Sequence, residues 1–163
     1  MKEMIAALYE YEVWANDRLL AKAADLGDAQ LGQKLTKGAD PILLTFAHLV
    51  GADLRWFARW RGDPTPAFVP TDARSLEDVR RRWDELNPVR RAYIASLDQA
   101  RLMEPILWVR DQGSVEIPRW QAMLQCANHG TQHRSEIAAM LTDLGHSPGN
   151  LDFVLYCLEA RRG

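Results

Sequence analysis

The longest helix-forming segment of the chain, Pro118 to Leu144, places the strongest constraint on the fold. Proline stands at its first helical position, and Gly145 provides a stop at its far end. Two of the four histidines, His129 and His133, lie inside this segment at positions i and i+4. Residues at that spacing lie one above the other on a single helix face, so both imidazoles can point at one place. The segment predicts a long helix whose histidine pair is either part of a metal site or a coincidence of spacing.

Three further segments carry apolar residues at helical spacing between start and stop signals. Together with the first segment they predict four long helices, over residues 2–26, 41–60, 76–97 and 118–144. Pro88 is expected to kink the third of these near Asn87. The polar connection from 28 to 40 has room for a turn of helix, and the proline-rich segment 61–74 predicts a long surface connection.

A short β-hairpin is predicted immediately before the last long helix. Residues 106–110 and 114–117 have strand character, and Gly113 lies at the turn between them. After Gly145, residues 151–161 predict a short C-terminal helix. These segments indicate four long helices with a hairpin and a short final helix added to them.

Composition limits the classes of function. A chain of 163 residues is most simply a single domain spanning 1–163, and its net charge of −2 provides no field that would recruit nucleic acid or an anionic membrane. We interpret Arg80–Arg82 and Arg90–Arg91 as solvated helix faces. Cys126 and Cys157 stand among apolar helical residues and are interpreted as reduced core thiols. The sequence shows neither a signal peptide nor a membrane span, so we expect a cytoplasmic protein.

A candidate for a third metal ligand, His48, lies on the second long helix. Its stripe also carries Gly51 and Ala52, and these small residues leave room for a cleft. A lone histidine satisfied by one hydrogen bond is the competing interpretation. Arg55 and Arg59 follow two and three turns along the same stripe; they could hold a carboxylate of a cosubstrate, although solvation at the surface is their expected role.

Three more residues near the histidine pair have alternative interpretations. Glu136, at i+3 from His133, either orients that ligand, acts as a base on bound water, or is a surface carboxylate. Cys126, at i−3 from His129, is better explained as a small core residue than as a ligand. His146 follows the helix stop and is predicted to be a turn or surface residue.

Five motifs are spread along almost the whole chain. They are Tyr9-x-x-x-x-Trp14-Ala15-Asn16-x-Arg18-Leu19-Leu20, Ala47-His48-Leu49, Pro118-x-Trp120, Asn128-His129-Gly130-Thr131-x-His133-Arg134 and Leu144-Gly145-x-x-Pro148. In this order they resemble the DinB-like family of small metalloenzymes. The resemblance implies an all-α, up-and-down four-helix bundle that is commonly a homodimer.

The resemblance also implies the ligands and the chemistry. By position the metal ligands are His48, His129 and His133, holding a divalent ion such as nickel, zinc, iron or manganese. Members often have a further histidine directly before the last ligand, where this chain has Gln132. Related proteins include S-transferases and an isomerase that use low-molecular-weight thiols.

An open three-histidine site therefore predicts a divalent-metal-dependent enzyme with a small-molecule substrate. A thiol S-transferase is the first hypothesis, in which the metal lowers the pKa of the thiol. The second is a hydrolase that uses the same ligands to activate water, with Glu136 as the base. The third is a non-catalytic, metal-binding stress-response module, which a fourth protein ligand such as Cys126 or Glu136 would favour. No nucleic acid or membrane partner is expected.

Overall fold

The computed structural model describes residues 1–66 and 73–161, which form seven helices and one antiparallel hairpin. In chain order the elements are α1 (Lys2–Ala23), α2 (Asp28–Gly32), α3 (Ile42–Trp60), α4 (Leu76–Ser96), α5 (Gln99–Met103), β1 (Pro105–Trp108), β2 (Val115–Pro118), α6 (Arg119–Asp143) and α7 (Phe153–Ala160). The long helices α1, α3, α4 and α6 confirm the predicted four-helix bundle. The hairpin before α6 and the short C-terminal helix are also confirmed.

Local chemistry explains where the long helices begin. Ser75 Oγ accepts a hydrogen bond from the backbone N–H of Asp78 at 3.2 Å, which caps α4. Pro41 and Pro118 stand immediately before α3 and α6, where a missing N–H removes no helical hydrogen bond. Pro88 lies inside α4 and does not end it. Three of the four bundle helices, α3, α4 and α6, therefore begin at cap or proline signals that are visible in the sequence.

The four long helices are not arranged around the bundle in chain order. Both α1 and α3 pack mainly against α4 and α6, so α1 lies diagonal to α3, and α4 lies diagonal to α6. The connections between these diagonal pairs are long and carry α2 in one case, and α5 with the hairpin in the other. Because α3 and α6 are side by side, residues far apart in the chain can meet between them.

One hydrophobic core joins the elements. Buried apolar side chains from all four long helices contribute to it, among them Leu19, Phe46, Trp83 and Met140. The hairpin pairs Ile106 with Ile117, and the buried side chain of Ile106 packs it onto this core. Burial on the bundle stabilises a two-stranded ribbon that would be marginal alone.

Some boundaries differ from the predictions. The first long helix ends at Ala23 rather than Leu26, and the short helix α5 was not predicted. The connection predicted over 61–74 includes residues 67–72, among them Pro70, which lie outside the described residues. Within the described ranges, no helix has both the length and the apolar character that crossing a membrane requires.

One prediction about charge is wrong. Arg90, which we interpreted as solvated, is only 2% exposed, whereas Arg91 is exposed and forms an ion pair with Glu10. Successive residues of a helix point about 100° apart, so one of two adjacent arginines can face the core while the other faces water. Arg80 and Arg81 are exposed, as expected. The sequence pattern did not reveal that a positive charge enters the middle of the bundle.

Candidate metal centre

Three histidine side chains meet between α3 and α6. The Nε2 atom of His129 lies 3.3 Å from Nε2 of His48 and 3.1 Å from Nε2 of His133. Each ring offers one nitrogen that lies within 4.8 Å of the corresponding atoms of the other two. Helix α6 supplies the i, i+4 pair, and the packing of α3 against α6 adds the third ring. The structure thus brings together the three histidines that the sequence singled out.

The spacing of these nitrogens fits a shared metal ion. A zinc–histidine bond is about 2.1 Å long, so two ligands of one tetrahedral or octahedral ion lie roughly 3.0–3.4 Å apart. The two Nε2 separations fall inside that range. Within residues 1–66 and 73–161 no cysteine or carboxylate joins the three rings. The donor set therefore suits a divalent metal with coordination positions left open to a ligand.

The surroundings of two of the rings favour their neutral form. The pKa of His129 is lowered from 6.5 to about 4, first by burial and then by the neighbouring rings of His133 and His48. The pKa of His48 is also lowered, by burial first and then by the charges of His133 and Arg55. Metal binding requires an unprotonated nitrogen on each ligand. His48 and His129 are therefore held in the state that binds metal near neutral pH.

Glu136 contacts the candidate metal centre through His133. Its Oε2 atom lies 2.8 Å from Nδ1 of His133, on the opposite side of the ring from Nε2. A carboxylate on this nitrogen fixes the tautomer that leaves Nε2 free to bind metal, and it limits rotation of the ring. The corresponding nitrogen of His129 is buried and has no hydrogen-bond partner among the described residues. Of His129 and His133, only His133 has a carboxylate in contact with its Nδ1 atom among the described residues.

Comparison with known proteins identifies the relatives of this bundle. The family model for the DinB family matches residues 1–162. The chain belongs to the DinB family. Protein DinB of Bacillus subtilis (strain 168) is 25% identical over 166 residues, covering 96% of this chain and 95% of that protein. YfiT from Bacillus subtilis, described as a probable metal-dependent hydrolase with an unusual four-helix bundle topology, superposes with a TM-score of 0.63 at 15% identity, covering 90% of this chain and 89% of YfiT.

Other residues considered from the sequence lie outside the histidine cluster of this DinB family chain. Cys126 is buried, and its Sγ atom lies 3.5 Å from Oδ1 of Asp53. It does not belong to the group formed by His48, His129 and His133. Burial raises the pKa of the Cys126 thiol well above its ordinary value, so this group stays protonated. Gln132, where relatives often have histidine, is exposed. His146 is half-buried beyond the end of α6 and contacts Asp25 at 3.8 Å.

Arg55 and Arg59 differ from the solvated arginines that we expected. Both are half-buried on α3. Nη1 of Arg55 and Nε of Arg59 are buried and have no hydrogen-bond partner among the described residues. Trp56 lies under Arg59, with the guanidinium carbon 5.0 Å from the ring centroid. These two positive charges thus stand along the helix that carries His48, and neither forms an ion pair with another described residue, although the charge of Asp63 acts on Arg59.

Four charged residues lie inside the bundle, where the sequence analysis did not place them. We call them the buried charge cluster: Glu12, Asp53, Arg90 and Arg134, each at most 3% exposed. Nη1 of Arg90 lies 3.5 Å from a carboxylate oxygen of both Glu12 and Asp53, and Nη1 of Arg134 lies 3.4 Å from the other oxygen of Glu12. Two positive and two negative charges are thereby paired within the core. The available signal was an acidic residue on a largely apolar helix, such as Asp53 on α3.

Gly130 connects the buried charge cluster to the metal centre. It directly follows His129, and a Cβ atom at this position would lie 2.7 Å from Nη1 of Arg134 and 3.0 Å from Oε1 of Glu12. Atoms at these distances overlap, so a side chain here would displace the ion pair. A glycine next to the histidine lets the Arg134–Glu12 pair form against the backbone of α6.

Proposed function

We propose that this chain is a divalent-metal-dependent enzyme that transfers a low-molecular-weight thiol to an electrophilic small molecule. The convergence of three imidazole nitrogens on one point carries this proposal. Neutral ligands leave the full charge of a divalent ion available to an anionic ligand. A metal held there lowers the pKa of a thiol or water that occupies an open position, as metal ions do elsewhere.

The residues of the chain have distinct roles in this proposal. His48, His129 and His133 hold the ion, and Glu136 positions His133 through its Nδ1 atom. In the overall reaction the thiol loses its proton to solvent, its sulfur forms a bond to an electrophilic carbon, and the leaving group departs with the bonding electron pair. The chain needs to bind both reactants beside the histidines and to keep the ligands neutral.

A role for Glu136 as the base of a hydrolase is less compatible with its position. The carboxylate contacts the ring nitrogen that faces away from the other histidines. A base must come within hydrogen-bond reach of the proton that it removes, or act through one water. Glu136 lies behind His133 rather than on the open side of the cluster, so we assign it positioning instead of proton transfer.

A metal-dependent hydrolase is the second candidate. The same open positions can bind water, and YfiT, which shares the fold, is described as a probable enzyme of this class. In that reaction water would replace the thiol as the nucleophile. The two candidates share one metal centre and differ in the co-reactant that they consume.

Metal content and co-reactant dependence test the proposal. Protein purified without a histidine tag or added metal is analysed by inductively coupled plasma mass spectrometry, for wild type, His129→Ala and the control His146→Ala. We expect near-stoichiometric metal in wild type and control, and loss of it in His129→Ala. Wild type that remains metal-free even after divalent ions are added would refute both candidates.

Metal-loaded protein is then incubated with electrophiles in the presence and absence of thiols. Product formation that consumes thiol and disappears on chelation supports the transferase. Product formed without thiol, by cleavage of an ester or amide, supports the hydrolase instead. Bound metal without either reaction across a broad panel of substrates would favour the non-catalytic metal-binding module.

A further inference from the structure

Arg55 and Arg59 lie on the same face of α3 as His48. They follow that histidine by seven and eleven residues, which at about 100° per residue returns each to within roughly 20° of its direction. The rise from residue 48 to residue 55 is roughly 10 Å. Because helix side chains lean toward the N-terminus, a long side chain at position 55 extends back toward the histidine. One helix face therefore carries both a metal-ligand candidate and two guanidinium groups.

The two guanidinium groups lack the partners that other buried arginines of this chain have. Arg90, Arg119 and Arg134 each contact carboxylate or carbonyl oxygens. By contrast, Nη1 of Arg55 and Nε of Arg59 are buried without a hydrogen bond, and no ion pair to either residue is found within 1–66 and 73–161. A buried donor left without an acceptor is costly, and such groups call for a bound ion, water or ligand.

Arg59 is held by aromatic stacking rather than by polar contacts. Its guanidinium lies over the ring of Trp56, and Trp56 in turn packs on Trp108 of the hairpin at a centroid distance of 5.3 Å. A cation over an aromatic face is attracted by the ring without using its N–H groups. The stack therefore orients Arg59 and leaves its donors available for a ligand.

The charge of Arg55 acts on two of the histidine rings and on Arg59. Its positive charge contributes to the lowered pKa of both His48 and His129. Burial lowers the pKa of Arg55 and Arg59, and for Arg59 the charge of Arg55 is the next cause. Both groups still remain charged at neutral pH, because the ordinary pKa of an arginine lies far above 7. Two neighbouring like charges, partly removed from water, would be stabilised by an anion between them.

We propose that Arg55 and Arg59 bind a carboxylate or phosphate group of the substrate on which the three-histidine centre acts. The assignment of this anion to a substrate rests on the proposed function, whereas anion binding by the arginine pair does not. A guanidinium presents paired N–H donors that match the oxygens of either group. The substrate class is thus a small molecule with its reacting group at the histidines and an oxyanion further along α3.

The first experiment measures anion binding without metal. Metal-free wild type, Arg55→Met and Arg59→Met are titrated calorimetrically with inorganic phosphate at constant ionic strength. Arg81→Met serves as the control, because Arg81 is an exposed arginine paired with Glu85. We expect phosphate to bind wild type and the control equally, and about tenfold or more weakly to either α3 variant.

Urea unfolding is a second measurement, and it distinguishes an anion-binding arginine from one that is merely solvated. In phosphate-free buffer, Arg55→Met should unfold at a higher urea concentration than wild type, because the unpartnered charge is gone. Wild type that does not bind phosphate, or α3 variants that bind it as well as the control does, would overturn the proposal.

The third experiment connects the anion to the metal centre. Cobalt-loaded protein is titrated with mercaptocarboxylates of increasing chain length and with the mercaptoalcohols of matching length, and the visible absorption of cobalt reports thiol binding. We expect one range of lengths in which the carboxylate binds wild type about tenfold more tightly than the alcohol, with the preference lost in Arg55→Met.

Two other outcomes of the cobalt titration would contradict different parts of the proposal. Equal binding of both series to wild type would overturn the assignment of the anion to a substrate. Absence of any cobalt response to thiols, with phosphate binding intact, would instead refute the proposed thiol transfer and leave the arginine site established.

Discussion

The candidate metal centre and the buried charge cluster lie in the same bundle but differ in how their polar side chains are paired. In the cluster every charge has a partner of opposite sign within the chain, and all four residues are at most 3% exposed. At the candidate metal centre, the Nε2 atoms of three half-buried rings converge on one point. Charges that are paired with each other indicate a structural role, whereas ring nitrogens that converge on one point at the spacing of metal ligands indicate a bound ion. Replacing residues in each region tests this distinction.

The largest effect is expected from breaking the buried charge cluster. Arg90→Met removes the guanidinium that contacts both Glu12 and Asp53, and it leaves two carboxylates facing each other in the core. Removing one partner of a buried ion pair typically costs about 3–5 kcal/mol of unfolding free energy. Urea denaturation measures the change, with Arg91→Met as the exposed control. A loss under about 1 kcal/mol, which is typical of surface pairs, would show that these charges are not coupled.

The metal centre should respond in affinity rather than in stability. His48→Ala and His133→Ala each remove one of the converging nitrogens, so we expect both to weaken metal binding by more than about a hundredfold, to a similar extent. Competition with a chelator of known affinity measures this, and His146→Ala is the control. The stability of the metal-free variants should change less than that of Arg90→Met. Normal metal binding by His48→Ala would disprove a site shared by α3 and α6.

These two regions were not equally predictable from the sequence. The histidine pair of α6 follows from local spacing, and His48 was recognisable as a candidate because small residues surround it on its stripe. The order of the helices around the bundle could not be predicted, since helical periodicity identifies the buried face of a helix but not the helices that pack against it. Arg90 was misinterpreted because two adjacent arginines suggest a solvated face, and its carboxylate partners come from α1 and α3. Partners that are distant in sequence are specified only by packing.

A smaller loss of metal affinity is expected when Glu136, which contacts the ring of His133, is replaced. Glu136→Gln keeps the shape of the side chain but removes the charge that holds Nδ1 of His133. Losses of about 10- to 100-fold in metal affinity are typical when such a supporting carboxylate is replaced. Chelator competition should place this variant between wild type and His133→Ala. If Glu136→Gln abolished metal binding as completely as His133→Ala, Glu136 would have to be a ligand rather than a positioning residue.

The smallest effect concerns the pH dependence of the metal-free protein. The pKa of His129 is about 4 in the folded state, against about 6.5 in an unfolded chain. Between these values the unfolded state binds a proton that the folded state does not, so this group favours unfolding increasingly as the pH falls from 6.5 toward 4. The half-exposed position of the ring keeps the contribution modest.

Urea midpoints measured with chelator across this pH range, for wild type and His129→Asn, isolate that contribution. Glu12 also titrates, with a pKa raised mainly by burial, but it is present in both proteins and cancels in their difference. We expect the midpoint of wild type to fall more steeply toward acid than that of the variant. Parallel curves would mean that His129 titrates as a solvated histidine. The surroundings would then not keep the ring of His129 neutral. The contrast between the candidate metal centre and the buried charge cluster would rest only on the distances between their atoms.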